Sequence, residues 1–325
     1  MSKFLFTFGL IILGLSLGYF IQRMATRKII RLPISLNQLQ RILLKTALLF
    51  INPITVVGAI WIVKLKDTSV VTLPLLGVFA ILLGGILALW AARLLGLGRR
   101  QTGSLFACGS FTNIGTIGGL VCYIFLGEMA FGLVSIYKLF EEFIYYMIGF
   151  PIAKLYSADS KEKESFFNRL KKLITDIFIL VSLSSLMLGL LLNLMNVKRP
   201  TFYQTINSVF IPLGALCLIT SIGLVMKISK IREYLKECLS VSVIKFVAVP
   251  IVVTSVALGL GYQNIEGAFL LKVVIILSSM PVAFNALIPP SLYNLDVDLA
   301  NSCWLVSTSL LIFVLPALYM IIRSF

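Results

Sequence analysis

Residues 279–290 read SMPVAFNALIPP. Three prolines and an asparagine interrupt a stretch that is otherwise as apolar as a membrane helix. Proline lacks an N–H and clashes with the carbonyl four residues back, so no regular helix runs through it undisturbed. What that interruption means depends on the solvent around the chain. Of 325 residues, 59% are hydrophobic and 13% charged, and the mean hydropathy is +1.02. Soluble domains are about half apolar and about a quarter charged. Apolar runs of about twenty residues recur along the chain, each long enough to cross a hydrocarbon core of about 30 Å. They lack the period-2 alternation of barrel strands, so the expected fold class is an all-α membrane protein.

Ten spans are expected, near 4–22, 42–63, 72–95, 102–125, 129–153, 174–195, 205–226, 238–260, 266–292 and 300–322. The first is read as a helix rather than a removed signal, because no small-residue cleavage site stands out. A polar connection, YSADSKEKESFFNRLKK (156–172), divides the chain five spans from five. Two consecutive halves with an odd number of spans have opposite orientations, which is the condition for an inverted repeat. The expected organisation is residues 1–156 as the first five-helix repeat, 157–173 as a cytoplasmic linker and 174–325 as the second repeat. Pro53 and Pro212 fall at like places in spans two and seven, and Pro151 and Pro316 in spans five and ten.

Under that repeat, span nine is the counterpart of span four, SLFACGSFTNIGTIGGLVCYIFLG (104–127). Ser110, Thr112, Asn113 and Gly115 crowd its middle, as Pro281 and Asn285 do in span nine. Interrupted segments at matching places in two halves point to a transporter's binding site. A break at mid-membrane must face protein or a water-filled cavity, and the positive end of a half-helix there attracts anions. The alternative is that small residues serve close helix packing. Ser110, Thr112, Asn113, Gly115, Pro281 and Asn285 are the candidate substrate-binding residues.

SFTNIGTIGGL and SSMPVAFNALIPPSLYNLDVDLANS resemble the paired signatures of the auxin efflux carrier family, which includes plant PIN-type carriers and bacterial malonate-transporter-like permeases. Asn113, Gly115 and Gly118 match the family's fourth-span pattern, whereas Thr112 and Leu120 stand where it has prolines. Pro281, Asn285, Tyr293 and Asp298 match the ninth-span pattern, and Leu315-Pro316 the motif before the chain end. The resemblance covers the ten-helix layout. It implies a scaffold of spans one, two, six and seven and a mobile transport domain of spans three to five and eight to ten. It also implies an organic-anion site where spans four and nine cross, lined by Asn113, Pro281 and Asn285.

Span five holds Lys138, Glu141 and Glu142. Three- and four-residue spacings put the lysine on the same helix face as both carboxylates. Charges at that depth cost about 2.5–3.5 kcal/mol each on insertion scales. The three are candidate ion-coupling residues, one carboxylate carrying a proton or cation; a static pair that fixes helix packing is the alternative. Lys245 and Lys272 lie six or seven residues into their spans, where snorkelling to the interface explains them.

Other classes fit poorly. The chain has no histidine and no HExxH, GxSxG or P-loop pattern, so an enzyme is not expected. No cofactor or metal is expected either, since the five cysteines match no disulfide or zinc spacing. A sodium-coupled carrier of the bile-acid type would need acidic ligands at the crossing, and residues 278–292 contain none. A membrane sensor without transport remains open. The expected partners are the bilayer, a small organic anion and a proton or sodium ion, with a homodimer left open. The net charge of +15 sits in short loops rather than in a nucleic-acid-binding patch. Of 28 basic residues, 19 fall in the odd-numbered connections up to the seventh and 6 on the opposite side. The expected location is therefore a cell (inner) membrane with both termini outside. In a cysteine-free variant, cysteine at Ser160 should resist an impermeant thiol reagent in intact cells, and one added after Phe325 should react; the reverse pattern would invert the topology.

Overall fold

A computed structural model describes residues 2–30, 32–63, 69–157, 166–226, 231–265 and 267–324. Residues 158–165 of the expected linker lie outside the described residues. The chain is all-α, with no strand among the described residues. Its helices begin with α1 (Ser2–Thr26), α2 (Leu36–Lys45), α3 (Asn52–Ile60), α4 (Ser69–Leu94), α5 (Arg99–Ser110) and α6 (Gly119–Leu126). Next come α7 (Glu128–Tyr137), α8 (Glu141–Ile144), α9 (Phe150–Leu155), α10 (Phe166–Thr175), α11 (Ile177–Leu194) and α12 (Phe202–Gly223). The last are α13 (Leu235–Val243), α14 (Val249–Gly259), α15 (Phe269–Ser278), α16 (Ile288–Leu292), α17 (Val297–Ser309) and α18 (Leu311–Ser324).

Six helical stretches among the described residues are long and apolar enough to cross a membrane: Lys3–Thr26, Leu36–Ile60, Val70–Leu94, Ile177–Leu194, Phe202–Gly223 and Ile231–Gly259. The chain is thus of the multi-pass membrane type. The other four expected spans are not continuous helices. The fourth and ninth break at their Gly/Asn- and Pro-containing centres, as their sequences require. The tenth bends by 48° between α17 and α18. The fifth, expected as one helix over 129–153, breaks at 138–140 between α7 and α8.

Three helices solve the proline problem alike. A π-helical turn at Thr46–Ile51 leads into Pro53, one at Tyr145–Gly149 into Pro151, and one at Ile244–Ala248 into Pro250. Widening the turn makes room for the ring and redirects the carbonyl that the missing N–H would have bonded.

The chain forms two compact units, each assembled from separated segments. The first comprises Met1–Lys64, Gly115–Ser135 and Asp176–Lys227. Within it, α1 meets α12 backbone to backbone. A Cβ at Gly18 would lie 2.2 Å from the Thr220 carbonyl oxygen, and one at Gly223 would lie 2.5 Å from that of Leu15. The end of α3 is closed by Asn193, whose amide donates to the carbonyls of Ile60, Trp61 and Val63. Glu128 pairs with Arg199 and accepts from Asn207, so a charge that starts α7 is compensated from the loop before α12 and from α12 itself.

The second unit comprises Leu65–Ile114, Ile136–Thr175 and Ile228–Phe325. Its central contact is α4 against α5, again through glycine: a Cβ at Gly84 would lie 2.2 Å from the Gly109 carbonyl oxygen, and one at Gly109 2.3 Å from Ala88 Cβ. Without hydrophobic driving force between helices in lipid, such close approach supplies the packing. Overpacking costs about 1–3 kcal/mol, so Gly18→Val and Gly84→Val should each lower the melting temperature of the detergent-purified protein. Gly9→Val, where nothing lies within 4 Å, is the control and should stay near wild type. Equal melting temperatures in all three would contradict the contacts.

Candidate functional site

The two interruptions meet in the second unit. Helix α5 ends at Ser110 and α15 at Ser278. Past Ser110 the chain runs extended, past Ser278 it first turns at Ser279, and Thr112 and Val282 form an isolated antiparallel bridge. Asn113 N–H donates to the Pro281 carbonyl at 2.9 Å, and Ala283 N–H to the Phe111 carbonyl at 3.0 Å. Pro281 ends the run of α15 because it has no N–H to give and biases the residue before it away from helix.

Three further donors of the two breaks are satisfied. Thr112 N–H donates to the Tyr145 hydroxyl (3.2 Å), Val282 N–H to Ser307 Oγ (3.2 Å) and Ile114 N–H to the Thr112 carbonyl (2.8 Å). Buried backbone groups without partners are rare for energetic reasons, and here each of the two broken helices supplies the other with a carbonyl partner for one N–H. The Ser110 hydroxyl reaches across to the Ile81 carbonyl of α4 at 3.1 Å.

Two ionisable side chains stand at the first break. Lys245, 1% exposed, lies in the π-turn ahead of Pro250, and its Nζ donates to Thr112 Oγ1 at 2.6 Å. On the other side, Tyr145 accepts from Thr112 N–H and donates to Glu141 Oε1 at 2.8 Å. Thr112 is thus held between an amine and a tyrosine–carboxylate pair. The Tyr145 ring stacks on Phe111, with centroids 3.9 Å apart, and the lack of a side chain at Gly149 admits Phe111, since a Cβ there would lie 2.6 Å from its ring.

Of the residues expected to bind substrate, Ser110, Thr112, Asn113 and Pro281 come together at this crossing and are buried. Asn285 does not join them: it is exposed in the 3₁₀ turn Phe284–Leu287. Gly115 is the second residue of the next π-turn, Ile114–Gly118, and belongs to the first unit. Of the charged trio, Glu141 is buried beside the crossing, whereas Glu142 and Lys138 are half-buried. Lys138 does not share a continuous helix face with the carboxylates, because α7 stops at Tyr137 and Glu141 N–H bonds back to the Lys138 carbonyl. Lys245 was expected at the membrane surface and is instead inside the site. Tyr145, Phe111 and Ser307 have no motif that marks them in the sequence.

A concavity of about 630 Å³ opens elsewhere in this unit between Gly98–Gln101 and Leu295–Asp298. Arg99 and Arg100 already bond the Leu155 and Leu295 carbonyls there, and Asp296 caps α17, so its charges are engaged in holding the fold. Among the described residues no group of three or more cysteine or acidic residues could hold a metal.

Comparison with protein-family models and with curated proteins returns no match. The site is therefore read from its geometry. Removing the Tyr145 hydroxyl takes from the Thr112 amide and the Glu141 carboxylate the hydrogen bond that each makes to it, at a cost of about 1–3 kcal/mol. Tyr145→Phe should accordingly lower the melting temperature. Tyr145→Phe with Glu141→Gln should be less destabilised than the sum of the single changes, by about 1 kcal/mol or more. Strict additivity would mean that the pair is not coupled.

Proposed function

We propose that the chain is a secondary transporter for a small organic anion, a carboxylate, resembling carriers of the auxin efflux type, and that its site is the crossing of the fourth and ninth segments. The observation that carries this reading is the pairing of two helix interruptions through Asn113, Pro281, Phe111 and Ala283. In a helical membrane protein an interruption of this kind is tolerated where protein or a water-lined path surrounds it, and carriers place substrate at such discontinuities. Asn113 and Thr112 supply polar side chains there and Lys245 a cationic one, a donor-rich set suited to a carboxylate.

The reading includes ten membrane segments arranged as two inverted repeats, with both termini outside a cell (inner) membrane. The composition of the units supports it. The first unit gathers segments one, two, six and seven with the second half of segment four and the start of segment five; the second gathers three, eight, nine and ten with the first half of segment four and the rest of segment five. Such a division suits alternating access, in which one group of segments moves against the other around a fixed site. The break between Thr112 and Gly115 is also the point at which the chain leaves one unit for the other.

The test is flux. Purified protein in proteoliposomes should take up labelled acetate, malonate or succinate above protein-free vesicles. Asn113→Ala should reduce uptake of the carried anion at least about tenfold, consistent with loss of a hydrogen bond to a charged group, while the protein stays folded in detergent. Uptake unaffected by Asn113→Ala would remove the site from the crossing. No uptake of any of the three would count against a small-carboxylate carrier.

A further inference from the structure

The charge that the crossing holds most deeply is not on a carboxylate. Lys245 is 1% exposed, and its hydrogen bond goes to the neutral Thr112 hydroxyl. The titratable groups that face it are the Cys108 thiol of α5 and the Glu141 carboxylate of α8, the latter reached through Thr112 and Tyr145. An ammonium buried against a neutral partner is only partly compensated, so its protonation responds to what else enters the site. The chain has no histidine, and lysine is the basic side chain that changes protonation readily once buried. Thr112 also belongs to the bridge between the two breaks, so a rearrangement of the crossing changes the amine's only hydrogen-bond partner among the described residues.

We propose that the Lys245 amine is the group that takes up and gives up a proton at the crossing, so that an anion entering there travels with a proton carried on Lys245. This rests on the carrier reading above. Uptake forms one N–H bond and turns the amine into an ammonium, which pairs with the incoming anion; release of the anion returns the proton. Glu141, held by Tyr145, is then a fixed countercharge, and Lys138 and Glu142 are not the carriers. Thr112 is a positioning residue.

Two measurements test this separately from transport and with it. Melting temperatures of the full chain in detergent are followed from about pH 6 to about pH 9 for wild type, Lys245→Met and Lys245→Arg. Arginine stays charged throughout and methionine never charges. The gap between wild type and each variant should change by about 3 °C or more across that range, as expected for a stability difference near 1 kcal/mol in a chain of this size, while the gap between the two variants stays constant. Parallel curves for all three overturn the proposal. If Lys245→Met fails to fold, Lys245→Arg against wild type decides in the same way. In vesicles loaded with a pH-sensitive dye, an inward malonate gradient should drive protons inward with wild type, and the protons moved per malonate should fall to the protein-free leak with Lys245→Arg. An unchanged ratio overturns the proposal. Absence of any malonate flux with wild type would count against the carrier reading, and the melting curves would still decide whether the amine titrates.

Discussion

Hydrocarbon offers backbone no hydrogen bonds, and the crossing follows from that constraint. A helix satisfies its own N–H and C=O groups; a helix that stops part-way must find partners elsewhere. Here two stopped helices find them in each other. Asn113 and Ala283 give their N–H groups to Pro281 and Phe111, and side chains take up two more, Tyr145 for Thr112 and Ser307 for Val282. Each break is tolerable because the other exists. A chain with one of them would carry orphaned donors in its interior, each costing about 1–3 kcal/mol.

The surrounding elements hold that geometry in place. Gly84 and Gly109 bring α4 and α5 into backbone contact just before the first break, and Gly149 leaves the space that Phe111 fills beneath Tyr145. The π-turns before Pro151 and Pro250 carry Tyr145 and Lys245. The prolines thus do more than bend helices, because the widened turns next to them hold the two side chains that grip Thr112. Packing, backbone pairing and charge placement converge on one residue.

Much of this was legible in the sequence and some was not, for identifiable reasons. Apolar runs announce membrane helices by length alone, and the glycine-asparagine and proline interruptions announce where two of them fail. Asn113 and Pro281 could be named because backbone rules act on them directly. Asn285 lies four residues past Pro281, and whether it faced the crossing depended on the turn between them, which the sequence does not specify. The break at 138–140 carries no glycine or proline; a Cβ at Gly77 of α4 would lie 2.2 Å from the Tyr137 carbonyl, a close approach at the end of α7 that no local pattern encodes. Depth alone makes Lys245 look like a snorkelling residue. The signal against that reading was on its own helix: the neighbours one turn away, Val241, Ser242, Val249 and Ala248, include no acidic partner, so its partner had to come from another segment.

The two interruptions are one hydrogen-bonded structure and not two loose loops. Amide hydrogen exchange on the detergent-purified chain tests it directly, read on peptides covering 111–114 and 281–284. Paired as described, the Asn113 and Ala283 amides should exchange as slowly as those inside α5 and α15, although neither lies in a helix. Exchange of both at the rate of exposed turns would contradict the account.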